Sequence, residues 1–460
     1  MPIWFKLEPD DRLIIGFRGA DATFIQNLPI NTPVTLGPQE PPLDYLRNLI
    51  YLLDNAILYP KFWETVSLPI NTSPWRPEPL ENNSGTSLQL TAELAINRNV
   101  IIQGPPGTGK SYLIANLCND FLRQGKTVLV TALTNAALTE LAQKDGLANS
   151  IKEGRIYKTS LTLDECKQMP KLKNGADYQY QPGSLLLATY YKASGLAKTA
   201  TGPQFDLVVI EEASQAFLAT IGAIRHLGQN CVIIGDQMQL QPIRQVKDAD
   251  LDSPELVNVF NGLNTVTNAD LTPSAFILNK TFRLNPQTTF LTNAFYADAL
   301  LSVQPPISQM DDLSAVSILL TENSVQCLKM QMAIGLKRPV EAIEAIKDLV
   351  GKLRKSNPKS DIAVLAAFVD TVKALQQAIY PEIGYSEKVI VDTIDRIQGL
   401  TVDVCIVLIP NTSTHFSLDI HRFNVATSRA RRHTVLFVPN DLSLTNCDER
   451  VIKYFERLKG

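Results

Sequence analysis

Histidine is scarce, with four in 460 residues, and His226, His415, His421 and His433 are too scattered to suggest a metal centre. The six cysteines, Cys118, Cys166, Cys231, Cys327, Cys405 and Cys447, lie far apart with no CxxC pair, so neither a disulfide framework nor a zinc cluster is expected. Three of them sit in or beside apolar runs and read as small core residues. No apolar stretch approaches the roughly 20 residues of a membrane span, and the opening "MPIWFKLEPDD" lacks the basic-then-apolar order of a signal peptide. A soluble, reducing setting is expected, the cytoplasm in a bacterial host. Positive charge is not in excess either, because 43 Lys and Arg stand against 46 Asp and Glu for a net charge of −3. A broadly basic surface is excluded, and any polyanion site must be a local groove.

What is present is an ordinary globular composition, 45% hydrophobic and 19% charged, over a length that suits two or three domains. Residues 1–85 are rich in proline and asparagine and close on the linker-like "SPWRPEPLENNSGTS". Within them, "RLIIGF" suits a strand and "YLRNLIYLLDNAILY" has helical apolar spacing. Trp63 and Trp75 read as packing residues rather than stacking platforms. From Asn99 on, Val/Ile/Leu runs such as "NVIIQ", "TVLVTA", "LLLAT", "DLVVIEE" and "CVIIGD" alternate with amphipathic stretches. A second series follows in "IAVLAAF", "VIVDT", "DVCIVLIP" and "TVLFVP". Continuous apolar strands with intervening helices predict parallel sheets buried on both faces. The expectation is an α/β protein with two RecA-like parallel-sheet P-loop domains in tandem, residues 86–278 and 279–460, behind a small accessory region of residues 1–85.

"GPPGTGKS", Gly104 to Ser111, fits G-x-x-x-x-G-K-[ST] after a predicted strand and before a predicted helix, the context the motif requires. Gly104, Pro105, Pro106, Gly107, Thr108 and Gly109 would lend backbone amides to phosphates, helped by the helix amino terminus. Lys110 is placed to reach the β- and γ-phosphates, Ser111 to ligate Mg²⁺, and Tyr112 to border the nucleotide. "FDLVVIEEASQA" adds Glu211 and Glu212 at a strand end. One would hold the metal, a role given to Glu211 alongside Ser111, and the other would polarise the attacking water. "CVIIGDQMQLQPI" ends the next strand with Gly235, Asp236 and Gln239, whose neutral amide can report on a γ-phosphate.

In this order the residues resemble a superfamily 1 helicase, in the branch of the nonsense-decay RNA helicases and their DNA-acting relatives. Gln89 in "SLQLTAEL" resembles the adenine-reading Q motif. "TALTNAAL" resembles motif Ia, implying that Thr131 and Asn135 face nucleic acid, and "LLLATYYKAS" implies a backbone contact from Thr189. "EEASQA" and "GDQMQL" correspond to motifs II and III. "LNKTFRLNP" is similar to the segment whose aromatic packs on the base and whose arginine reaches the γ-phosphate, here Phe282 and Arg283. "IAVLAAF" looks like motif IV. "VDTIDRIQGLTVD" looks like motif V with Thr393, Asp395, Gln398 and Gly399, and "FNVATSRARR" like motif VI with Arg429 as a second γ-phosphate arginine. Two departures stand out: Glu211 replaces the usual Asp, and Thr401 follows Leu400 where many relatives place a ribose-reading glutamate.

The resemblance implies a monomeric, ATP- and Mg²⁺-dependent motor on single-stranded DNA or RNA, moving 5′ to 3′, with no membrane. Its catalytic set would be Lys110, Glu211, Glu212, Gln239, Arg283 and Arg429; Gln89, Phe282 and Gly399 would join the loop in holding nucleotide, and Thr131, Asn135, Thr189 and Thr393 would touch the strand. A nucleic-acid-binding regulator with weak turnover and a small-molecule kinase are the alternatives.

Overall fold

The computed structural model describes residues 2–7, 13–17, 43–68, 75–242, 261–268, 274–306, 324–383, 388–397 and 399–459. Gln398 lies outside them. The chain opens with an antiparallel strand pair, β1 (Pro2–Leu7) and β2 (Leu13–Phe17). It divides into two compact units, residues 42–282, and residues 1–41 with 283–460.

The 42–282 unit begins with two helices, α1 (Leu43–Asp54) and α2 (Pro60–Val66), ahead of a nine-stranded sheet. Along the chain its strands are β3 (Glu78–Leu80), β4 (Asn99–Gln103), β5 (Val128–Ala132), β6 (Ile156–Lys158), β7 (Lys173–Asn174), β8 (Leu185–Thr189), β9 (Phe205–Ile210), β10 (Gly228–Gly235) and β11 (Ala275–Leu278). In space they run β3-β11-β4-β10-β9-β5-β8-β6-β7, and every pair is parallel. The apolar runs serve both faces because side chains alternate along a strand. Val100, Ile102, Val130, Leu187, Val209 and Ile234 point to one core, shared with α3 (Thr86–Asn97), α4 (Lys110–Arg123), α5 (Asn135–Ala142) and α6 (Asp145–Lys152). Ile101, Leu129, Leu186, Val208 and Ile233 point to the other, shared with α1, α2, α7 (Tyr190–Thr199) and α8 (Leu218–His226).

Residues 43–66, within the expected accessory region, pack against this sheet. Leu49, Leu52 and Phe62 belong to the second core, and Arg225 of α8 donates to Thr65 Oγ1 at 3.0 Å and pairs with Glu64 at 3.0 Å. Trp75 packs against that core as expected, but Trp63 is 55% exposed.

The other unit carries five parallel strands, β12 (Val325–Met330), β13 (Ile362–Ala366), β14 (Val389–Thr393), β15 (Val402–Leu408) and β16 (Ala430–Pro439), in the order β12-β16-β15-β13-β14. Helices α9 (Val340–Ser356) and α10 (Val369–Ile383) cover one face through Ile346, Leu349, Leu375 and Ile379. Two further helices, α11 (Ile420–Thr427) and α12 (Glu449–Lys459), supply an aromatic cluster in which Phe423 stacks on Phe455 at 5.2 Å and meets Tyr454 edge-on at 5.0 Å. Both units are α/β with wholly parallel main sheets, the RecA-like arrangement the sequence predicts. Among the described residues no helix is long and apolar enough to cross a membrane.

Candidate nucleotide site

In a parallel sheet the carboxyl ends of the strands form one edge, and ligands collect there. Residues 104–109 bridge β4 and α4 at this edge of the 42–282 unit, and Gly104 N–H donates to Gly235 O at 2.8 Å, tying the loop to the end of β10. Gly109 caps α4 with φ +79°, a conformation that suits a residue without Cβ. Gly104 is required for space, because a Cβ there would lie 2.3 Å from both Cγ and Cδ of Lys110. The lysine is folded over its own loop, Nζ donating to Gly104 O at 2.5 Å. A phosphate oxygen that displaced this carbonyl would meet a cation already held in place.

Glu211 directly follows β9, is 3% exposed, and accepts from Ser111 Oγ at 2.6 Å through Oε1. Its Oε2 is buried and has no hydrogen-bond partner among the described residues. Burial pushes the carboxyl up to about 7, with Glu140 adding to the rise, while the Ser111 hydrogen bond and Lys110 oppose it. A hydroxyl and a carboxylate in contact, one oxygen still unsatisfied, are hard oxygen donors of the kind Mg²⁺ takes, so this pair fits the ion. The longer Glu side chain reaches Ser111 from the strand end. Glu212 follows at φ +55°, an uncommon conformation for a non-glycine residue, and Tyr190 Oη donates to Glu211 O beneath it. In the next strand end Gln239 Nε2 donates to Asp236 Oδ2 at 2.7 Å, and both side chains are buried.

Beside the loop lies a cavity of about 710 Å³ lined by Gly109, Tyr112 and Phe282 together with Asn82, Asn83, Ser87 and Asp120 among others. Phe282 N–H donates to Gly107 O at 2.8 Å, which anchors its backbone to the loop, and its side chain is 46% exposed. Tyr112 and Phe282 thus share the cavity wall. Gln89 sits exposed on α3 and is not among the lining residues. The asparagines were missed. Asn82 Nδ2 donates to Thr108 O at 2.9 Å and Gly109 O at 3.1 Å, from a segment positioned by the β3–β11 pairing, for which the sequence holds no local signal.

The strand-facing set is only partly exposed. Thr131, expected to face nucleic acid, is instead fully buried, and its hydroxyl donates to Val209 O at 3.0 Å inside the sheet. Asn135 is exposed at the start of α5, just after Thr134, which caps that helix by accepting from Ala137 N–H at 3.2 Å. Thr189 and Thr393, 8% and 7% exposed, close β8 and β14 at the carboxyl edges of their sheets.

Arg283 and Arg429 both belong to the unit of 283–460 and meet at one residue: Arg283 donates to Ser428 O at 3.2 Å and Arg429 to Ser428 Oγ at 3.4 Å. Arg429 is 1% exposed, with Nε on Val425 O at 2.9 Å and Nη1 on Leu400 O at 3.4 Å. That departs from a guanidinium presented to a phosphate. Here Arg429 binds α11 and the Leu400 turn together. Gly399 stands in that turn at φ +85°. Asp395 accepts from Arg422 Nε at 3.0 Å, and Arg431 pairs with Asp403 at 3.3 Å as a structural ion pair.

Two family models match in succession, each described as an AAA domain, over residues 89–249 and 263–440. The DNA replication ATP-dependent helicase/nuclease DNA2 of Gallus gallus is 24% identical over 438 residues, 89% of this chain and 41% of that protein. Its namesake in Saccharomyces cerevisiae is 28% identical over 212 residues, 44% of this chain and 13% of that one. An arterivirus helicase, nonstructural protein 10 in complex with DNA, is 15% identical with a TM-score of 0.42, covering 77% of this chain and 63% of the other. The chain thus spans less than half the length of these two curated relatives.

Proposed function

We propose that the chain is a superfamily 1 P-loop helicase of the 1B branch and that it hydrolyses ATP to move along single-stranded nucleic acid in the 5′-to-3′ direction. The observation that carries this reading is the Ser111–Glu211 contact under a loop already holding Lys110, with an aromatic-walled cavity next to it. The triphosphate would lie along residues 104–111, its base against Phe282 and Tyr112. Lys110 would exchange its carbonyl partners for β- and γ-phosphate oxygens. Glu212 would accept the proton of the attacking water. Ser111 and Glu211 would hold Mg²⁺, which when bound neutralises developing phosphate charge. Arg283 would stabilise the γ-phosphate and Gln239 report its loss. Arg429 would act by holding α11 behind Arg283. In the 42–282 unit the strand would meet Asn135 and Thr189 through neutral donors, and Thr393 would offer the same in the other unit, which is compatible with a net charge of −3.

The engagement of Arg429 with backbone carbonyls favours a second reading, a nucleic-acid-gripping ATPase with slow turnover. Parallel ATPase titrations with single-stranded DNA and RNA of equal length decide between them. Strong stimulation by at least one, lost in Lys110→Ala and Glu212→Gln by about a hundredfold or more, supports the motor. Turnover indifferent to both polymers would refute it.

A further inference from the structure

We infer that Lys158, a residue with no part in the chemistry above, is a positioning residue that aims the side chain of Asn135 at the strand; the inference rests on the nucleic-acid reading just given. Lys158 ends β6, is 1% exposed, and ranks among the largest fully buried side chains. Burying an ammonium is costly unless it is paired and hydrogen-bonded. Its Nζ meets Glu165 Oε1 at 3.1 Å, donates to Ser160 O at 2.5 Å, and donates to Asn135 Oδ1 at 3.4 Å.

Glu165 is itself firmly held. It completes a capping box with Thr162, accepting from Thr162 N–H at 2.8 Å through Oε2, and it accepts from Thr139 Oγ1 through Oε1. Desolvation raises the Glu165 carboxyl, but hydrogen bonds from Thr139 and Thr162, with Lys158, outweigh it and hold the group below its usual range. Asn135 and Thr139 are one turn apart on α5, and both are therefore fastened to the same ion pair, carried by residues 156–168.

The chemistry of the contact fixes a polarity. An ammonium has donors only, so it selects the oxygen of the Asn135 amide. The Nδ2 group is then the part of this exposed side chain left for a ligand, and it offers two donors. A donor suits a phosphate or sugar oxygen and adds no charge. Lys158 would thus govern how a neutral residue grips a strand while never touching it.

Lys158→Met combined with Glu165→Gln removes both charges and keeps an oxygen to accept the Thr162 capping bond. Single-strand binding is measured by fluorescence anisotropy at several salt concentrations, with the KM for strand in stimulated ATPase and thermal melting alongside. The expected result is binding and KM about tenfold weaker, maximal turnover within about twofold, and an unchanged slope of log K against log salt, since no cation–phosphate contact is lost. A slope reduced by about 0.7 would make Lys158 a direct phosphate contact and overturn the inference. So would unchanged affinity, or a loss that simply tracks a lowered melting temperature and also appears in the Lys158→Gln single variant. A wild-type chain that bound no strand would instead sink the nucleic-acid reading itself.

Discussion

Gly104 and Lys110 illustrate how much of the site is decided by single atoms. An alanine at 104 places its Cβ against the middle of the lysine stem rather than its mobile end, so the ammonium must leave the loop. Gly104→Ala is expected to weaken ATP binding by at least about tenfold in a chain that still folds, checked by titrating a fluorescent ATP analogue and by circular dichroism. The sequence points to the loop, the two glutamates and Phe282 because phosphate chemistry would call for such residue types at such spacing, and the structure brings Ser111 against Glu211 and the Phe282 backbone against Gly107. The burial of Thr131 was not legible, since a strand buried on both faces gives no alternation from which to read which hydroxyls escape the sheet. Arg429 was legible as an arginine, but its buried hydrogen-bond set depends on the Leu400 turn, 29 residues away in sequence.

At the scale of elements, the apolar runs and amphipathic stretches fixed the parallel strands and their helices. What they did not reveal was the partner of α1 and α2, because apolar helical spacing says that a face is buried and not against what. Leu52 is fully buried in the core shared with α8. Leu52→Ala is expected to destabilise the 42–282 unit by about 2–5 kcal/mol, measured by urea unfolding; an independent accessory region would leave that transition unmoved. In β16, His433 is buried with no partner for either ring nitrogen among the described residues, and burial with the neighbouring Arg432 pushes it down to about 4 from 6.5. The folded state therefore resists protonation that the unfolded chain accepts. Stability is fully present above pH 6.5 and falls as pH drops towards 4, by roughly 3 kcal/mol at most. His433→Leu is expected to flatten that slope in melting curves taken across the window, and an unchanged slope would contradict the assignment.

Over the whole molecule, the phosphate loop and carboxylates belong to one unit and the paired arginines to the other. The movement proposed above requires states that differ in their affinity for nucleotide, since a ligand shifts an equilibrium only through such a difference. Arg283→Ala is expected to leave ATP binding within about threefold while lowering strand-stimulated turnover by about a hundredfold or more, separating a transition-state contact from a binding one by equilibrium titration and steady-state kinetics. The most direct measurement of the central claim is displacement of streptavidin from biotinylated single strands. The account expects ATP-dependent displacement from a 3′-biotin end, little from a 5′-biotin end, and none with Lys110→Ala. Vigorous strand-stimulated hydrolysis with no displacement from either end would contradict it.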